Sequence, residues 1–275
     1  MLINFILLAS ILTALYLLTI MPKLKPNPEI KKFDGWFYAH RGFHNNNSKR
    51  PENSIPAFEA AVHNHYGIEL DVQLTRDQIP VVFHDGNLLR ACGVKHKVSE
   101  LTYQELSTYR LFQSQERIPT LEEALNAIGG KVPLIIELKI PWHAKLLCRK
   151  VSEILQGYKG VYCIESFNPF GLMWYRKNHP EVVRGQLSTD FRKEKIEGSK
   201  VQYFILKHLL MNFLTKPDFI AYDHQYISGL SITLCRKLYR IKTVAWTIRS
   251  QEELDRNRKF FDWFIFENFK PKNAS

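Results

Sequence analysis

The chain has 275 residues, 45% of them hydrophobic, and sets 38 Lys and Arg against 27 Asp and Glu for a formal charge of +11. That length accommodates one barrel of about 250 residues or two smaller cores, so composition alone leaves the fold open. The positive balance suits anionic lipid or phosphate-bearing substrates. Nucleic acid, the rival class, is set aside because no helix-turn-helix, zinc-finger or RNA-binding signature is present.

Leu2 to Ile20 carries no charge and, at about 1.5 Å per helical residue, is long enough to cross roughly 30 Å of hydrocarbon. It reads as a membrane span; a cleaved signal peptide is the competing reading, but a basic n-region and a small-x-small cleavage site are missing. Residues 1–21 are therefore expected to form an anchor in the cell membrane. Residues 22–32, opening with PKLKPNP, read as a stiff juxtamembrane linker, and residues 33–275 as the globular domain. Lys23, Lys25, Lys31 and Lys32 follow the span, which places that domain in the cytoplasm by the positive-inside bias.

Short β-branched or aromatic runs then alternate with helical patterns, as βα units around a parallel sheet require. Eight runs qualify as strands, at 36–40, 67–75, 133–139, 161–167, 182–188, 218–224, 242–248 and 262–269. The pattern predicts an α/β fold, a (β/α)8 TIM barrel. Ser54 is placed to cap one helix with Pro56 in its first turn, and Thr120 with Glu123 has the spacing of a capping box. The run at 78–85 predicts an extra hairpin arm and residues 87–118 a small insertion. Cys92, Cys148, Cys163 and Cys235 are scattered singly, so buried free thiols are expected.

In I-E-L-D-V, Glu69 and Asp71 stand two apart and project from the same side of a strand. Paired acids in apolar surroundings need a cation, and an oxygen-only set with Glu137 suits Ca2+ or Mg2+; a solvated strand face is the plainer alternative. His40 and Arg41 follow the first strand, and His84 with Asp85 ends the hairpin arm. Imidazoles there can exchange protons near neutral pH, and a guanidinium can clamp phosphate oxygens.

The ordered motifs A-H-R-G (39–42), P-E-N-S (51–54), E-L-D-V (69–72), V-F-H-D (82–85), I-E-L-K (136–139), S-F-N-P (166–169) and A-W-T-I (245–248) resemble those of the glycerophosphodiester phosphodiesterase family. The resemblance spans most of the chain after residue 32. It implies a membrane-anchored bacterial enzyme that cleaves glycerophosphodiesters to glycerol phosphate and an alcohol, with one divalent metal. It further implies metal ligation by Glu69, Asp71 and Glu137, with Glu52 orienting or joining the site. His40 and His84 become acid and base, Arg41 and Lys139 hold the phosphate, and Asn53 supports the loop. Phe167 lines the pocket and Glu165 lies in reach of the metal. Trp246 packs against glycerol or belongs to the core. At the last strand Phe266-Glu267-Asn268 departs from the Thr-Asp of many relatives.

Two alternatives stay open. One is a lysophospholipase D or glycerophosphate-polymer hydrolase of the same fold, the other a catalytically silent module that binds phosphate head groups. His63 and His65 read as surface residues. The basic and apolar stretch 191–217 reads as an enlarged barrel helix or as an interfacial segment with Leu209 and Phe213 toward lipid.

Overall fold

All eight expected runs form strands in the computed structural model, which describes residues 1–140, 144–193 and 199–272. The strands are β1 (Phe37–His40), β2 (Gly67–Leu74), β3 (Pro80–Val82), β4 (Leu134–Leu138), β5 (Tyr162–Ser166), β6 (Arg184–Ser188), β7 (Phe219–Asp223), β8 (Lys242–Ile248) and β9 (Trp263–Phe266). All but β3 are parallel, in the order β1-β9-β8-β7-β6-β5-β4-β2, and β1 pairs again with β2 to close the barrel. β3 lies antiparallel on β2, as the expected arm.

The helices are α1 (Leu2–Ile20), α2 (Ile55–His63), α3 (Leu89–Cys92), α4 (Tyr103–Leu106), α5 (Leu121–Ile128), α6 (Ala144–Leu155), α7 (Pro169–Asn178), α8 (Lys200–Lys207), α9 (Asn212–Thr215), α10 (Leu230–Lys237) and α11 (Gln251–Asn257). Ser54 caps α2 by accepting from the Ala57 amide, and Thr120 and Glu123 complete the capping box of α5. The 87–118 insertion buries Leu88, Val98, Leu106 and Ile118 beneath α3 and α4, against Val81 and Phe83.

Alternation along each strand divides the apolar residues into two cores. Ile68, Leu70, Val72, Leu134, Ile136 and Leu138 face outward to Phe58, Leu125 and Val151 of the helices. Tyr38, Ile135, Phe219, Val244 and Trp263 fill the barrel interior. Large rings fit there only because facing positions are glycine: a Cβ at Gly67 would lie 2.6 Å from the Tyr38 ring, and one at Gly185 would lie 2.1 Å from the Phe219 ring.

Residues 22–34 run across the base of the barrel, where the strands begin. Lys23 pairs with Asp218 at 3.0 Å, Asn27 donates to the Glu181 carbonyl, and Phe33 is buried with its carbonyl accepting from Tyr38 Oη. The last turns of α1 are also packed: Ile20 is fully buried, whereas every residue from Met1 to Leu15 is exposed. α1 is long and apolar enough to cross a membrane.

In the 191–217 stretch, residues 194–198 lie outside those described. The remainder corrects one expectation. α8 ends at Lys207, Leu209 takes a left-handed φ of 55° that breaks the helix, and its side chain is only 2% exposed. Leu209 belongs to the core, whereas Phe213 is exposed as expected, together with Val201 and Phe204. The four cysteines are free, with Cys148, Cys163 and Cys235 buried, and His63 and His65 are exposed.

Candidate active site

Strand register brings the acids together. His40 is level with Glu69 across β1 and β2, Asp71 with Glu137 across β2 and β4, and Glu137 with Glu165 across β4 and β5. All point inward at the rim, the C-terminal end of the barrel. Carboxylate oxygens of Glu69, Asp71 and Glu137 lie within 4.8 Å of one another, and all three residues are buried.

The turn after β1 adds the first cation. Arg41 (φ 55°) and Gly42 (φ 80°) both take left-handed backbone, and a Cβ on Gly42 would sit 2.9 Å from Ala57 backbone. So folded, the Arg41 amide donates to Glu69 Oε2 at 3.1 Å, its Nη1 donates to Glu52 Oε1 at 2.8 Å, and its Nε stands 3.3 Å from Asp71 Oδ2. Asn53, also left-handed, donates from its amide to the Arg41 carbonyl and from Nδ2 to Asp71 Oδ2. Lys139 Nζ lies 3.1 Å from Asp71 Oδ1 and 2.8 Å from Glu137 Oε2.

Both histidines have carboxylate partners. His40 Nδ1 is 2.7 Å from Glu267 Oε2, and Glu267 Oε1 accepts from Arg249 Nε at 2.7 Å. His84 Nδ1 is 2.7 Å from Asp85 Oδ1. Arg90, reaching in from the insertion, donates to both Glu52 and Asp85. Glu267, Arg90 and Arg249 are not among the site residues expected from the sequence. Only Glu267 had left a sign, as a departure from the family pattern.

These surroundings set the charges. Burial, then Arg41, lowers the His40 pKa to about 4 against the opposing pull of Glu267. Burial works against the Glu52 charge, yet hydrogen bonds from Arg90 and the field of Arg41 bring its pKa to about 2. Burial, reinforced by neighbouring carboxylates, pushes Glu69 and Glu165 well above the usual range and also raises Glu137. Asp71 is held far below it by Lys139, His84 and Arg41 despite burial.

Four buried carboxylates thus share two close cations. Two of their oxygens, Glu165 Oε2 and Asp71 Oδ1, are buried with no hydrogen-bond partner, and Asp71 Oδ1 has only the ion pair with Lys139. The donor set is all oxygen and carries excess negative charge, which fits a hard divalent cation.

A cavity of about 270 Å3 opens over these groups, lined by the polar His40, Arg41, His84, Lys139 and Glu165 and by the apolar Phe167, Leu187 and Trp246. Phe167 and Trp246 meet edge to face at 5.7 Å. Trp246 is partly buried, so it serves both the interior core and the mouth. Every site residue expected from the sequence lines this cavity except Asp71, Glu52 and Asn53, which hold its wall from behind. A wider groove of about 880 Å3, between residues 46–49 and the insertion, is lined in part by Arg90 but by none of the four buried carboxylates.

The profile of the glycerophosphoryl diester phosphodiesterase family matches residues 40–266. The YhdW protein of Bacillus subtilis is 42% identical over 196 residues, covering 65% of this chain and 79% of the relative. A lysophospholipase D of Rattus norvegicus is 34% identical over 165 residues, covering 55% of this chain and 51% of the relative, so this chain spans about half of that mammalian protein. A solved phosphodiesterase of Oleispira antarctica, bound to its product sn-glycerol-3-phosphate, superposes with a TM-score of 0.70 at 24% identity, over 86% of this chain and 94% of that one. With its closed parallel barrel, its acidic cluster at the rim and a match running from the first strand to the last, the chain belongs to the glycerophosphoryl diester phosphodiesterase family of phosphoric diester hydrolases.

Proposed function

We propose that the chain hydrolyses glycerophosphodiesters to a glycerol phosphate and an alcohol, using Ca2+ or Mg2+ held by Glu69, Asp71 and Glu137. The observation that carries this reading is the convergence of those three carboxylates with His40 and His84 on one cavity. A bound divalent cation would polarise the phosphoryl group and offset charge developing on its oxygens.

The remaining work falls to side chains. Arg41, steadied by Glu52, and Lys139 present positive charge to the phosphate. Glu267 accepts from His40 Nδ1, which leaves the Nε2 lone pair free to take a proton. A lowered pKa keeps that imidazole neutral at pH 7, as a base requires. It deprotonates the attacking hydroxyl, whether of water or of the substrate's own glycerol. His84, oriented by Asp85, then protonates the departing alcohol. Phe167 and Trp246 give the carbon skeleton an apolar wall, and Glu165 lies behind the metal ligands.

The relatives named lysophospholipases D favour a second reading, in which the substrate is a lysophospholipid and the products are its head-group alcohol and a lysophosphatidate. We place the chain in the cell membrane as a single-pass protein anchored by α1, with the barrel in the cytoplasm on the evidence of the lysines after the span. Purified protein should release choline from glycerophosphocholine in a chelator-sensitive manner, with Ca2+ and Mg2+ restored separately. His40→Ala and Glu69→Ala should each abolish turnover, and full activity in either variant would overturn the assignment. No turnover on any glycerophosphodiester would leave only a silent head-group binder.

A further inference from the structure

The way α1 joins the barrel fixes which face meets the membrane. Tyr16 Oη pairs with Ser231 Oγ at 2.8 Å, at the start of α10, just beyond the rim end of β7. One turn later the Ile20 carbonyl accepts from Asn212 Nδ2 at 3.0 Å and faces Cys235 Sγ, a turn further down α10. The Lys23 amide then bonds the Pro217 carbonyl, which precedes β7 at the base. Between residues 16 and 23 the chain therefore descends from rim to base. Traced the other way, α1 leaves the barrel on the side where the catalytic cavity opens.

Length sharpens the argument. Only Leu2 to Leu15 is free of the barrel, about 21 Å of helix at about 1.5 Å per residue, against roughly 30 Å of hydrocarbon. The shortfall of about 9 Å must come from the packed turns, so a spanning α1 draws the rim into the interfacial layer. The rim is dressed for it. Phe170 opens α7, Val201 and Phe204 lie on α8, and Leu230 opens α10, and each is 59–68% exposed. Arg192, Lys193 and Lys200 stand exposed in the same region. Fewer apolar residues stand out at the base, Leu24, Leu238 and the less exposed Phe213, and Lys23 there is tied to Asp218.

We propose that the catalytic rim lies flat against the bilayer that α1 enters, with Phe170, Val201, Phe204 and Leu230 inserted among the acyl chains and the cavity open to the headgroup layer. α1 is thus a rigid strut and not a flexible tether. The consequence for substrate choice rests on the hydrolase reading: a cavity of about 270 Å3 takes a headgroup while an acyl chain stays in the bilayer.

The test uses the full chain reconstituted in vesicles of phosphatidylcholine and phosphatidylglycerol. In a Cys92→Ser background, Phe204→Cys and Leu238→Cys are each labelled with an environment-sensitive fluorophore and quenched by brominated lipids. The rim label should be blue-shifted and quenched and the base label neither. A quenched base label, or two labels reporting water, would overturn the proposal whether or not the protein is active. As a second readout, V201E combined with F204E should leave turnover of soluble glycerophosphocholine unchanged and lower that of vesicle-embedded lysophosphatidylcholine by about tenfold or more. Equal losses on both substrates, or none on either, would count against it, and an inert wild type would sink the hydrolase reading while leaving the fluorescence result standing.

Discussion

Replacing Glu267 by glutamine isolates a contact of the proposed base His40 that the family motifs did not announce. In the wild type, His40 Nδ1 and Glu267 Oε2 are 2.7 Å apart, and the carboxylate is held from the other side by Arg249. Once His40 has taken a proton, that contact becomes a charge-assisted hydrogen bond. Bonds to charged groups contribute about 1.5–3 kcal/mol and neutral ones about 0.5–1.5, so the amide forfeits about 1–2 kcal/mol at the transition state. Converted to rate, kcat should fall about 5- to 30-fold with KM little changed. The pH profile carries a sign as well. Glu267 is among the groups raising the His40 pKa, which burial and Arg41 together bring to about 4. Removing the anion lowers it further, so the acidic limb of kcat/KM should shift to lower pH even as the maximum drops. Steady-state release of choline from glycerophosphocholine across pH, with His40→Ala as the floor, reads both effects. A kcat within about twofold of wild type, or an acidic limb displaced upward, would refute the role given to Glu267.

In thermal melts, Ca2+ or Mg2+ at about a hundred times its Kd should add about 2.7 kcal/mol and raise Tm by about 5–10 °C. Asp71→Asn should lose that rise, and an equal rise in both proteins would remove Asp71 from the metal site. Arg90→Ala frees Glu52, whose pKa of about 2 should climb toward its ordinary value. Because a depressed carboxyl stabilises the fold above its unfolded pKa and loses that contribution as pH falls through the folded one, the difference in urea stability between wild type and Arg90→Ala should be present at neutral pH and close as pH approaches 2. A gap independent of pH would show that Arg90 acts through packing. Gly185→Ala should cost about 1–3 kcal/mol in urea unfolding by forcing the Phe219 ring to move, and Phe219→Leu should recover part of the loss.

What the sequence made legible, and what it hid, follows from how far each signal reaches along the chain. Barrel strands are buried on both faces, so runs such as PLIIELK and DFIAYDH announce themselves locally. The i, i+2 rule likewise sets Glu69 beside Asp71 without knowledge of any other element. Glu267 and Arg90 act through partners 227 and 38 residues away. Glu267 reaches His40 only because β9 closes on β1, a pairing that no local pattern encodes. Arg90 enters from an insertion whose own core gives no hint that one guanidinium leaves it to grip Glu52 and Asp85. The place of Leu209 in the 191–217 stretch was hidden for a different reason. Periodicity assumes one continuous helix, and the left-handed turn at Leu209 rotates everything after it, so an apolar face projected across the break assigns Leu209 to the surface when it is core. Before that break, Tyr203 of α8 stacks on Phe191, and Phe191 meets Phe167 of the cavity wall edge to face. The residue that defeated the pattern therefore ends α8 and turns the chain back into the core.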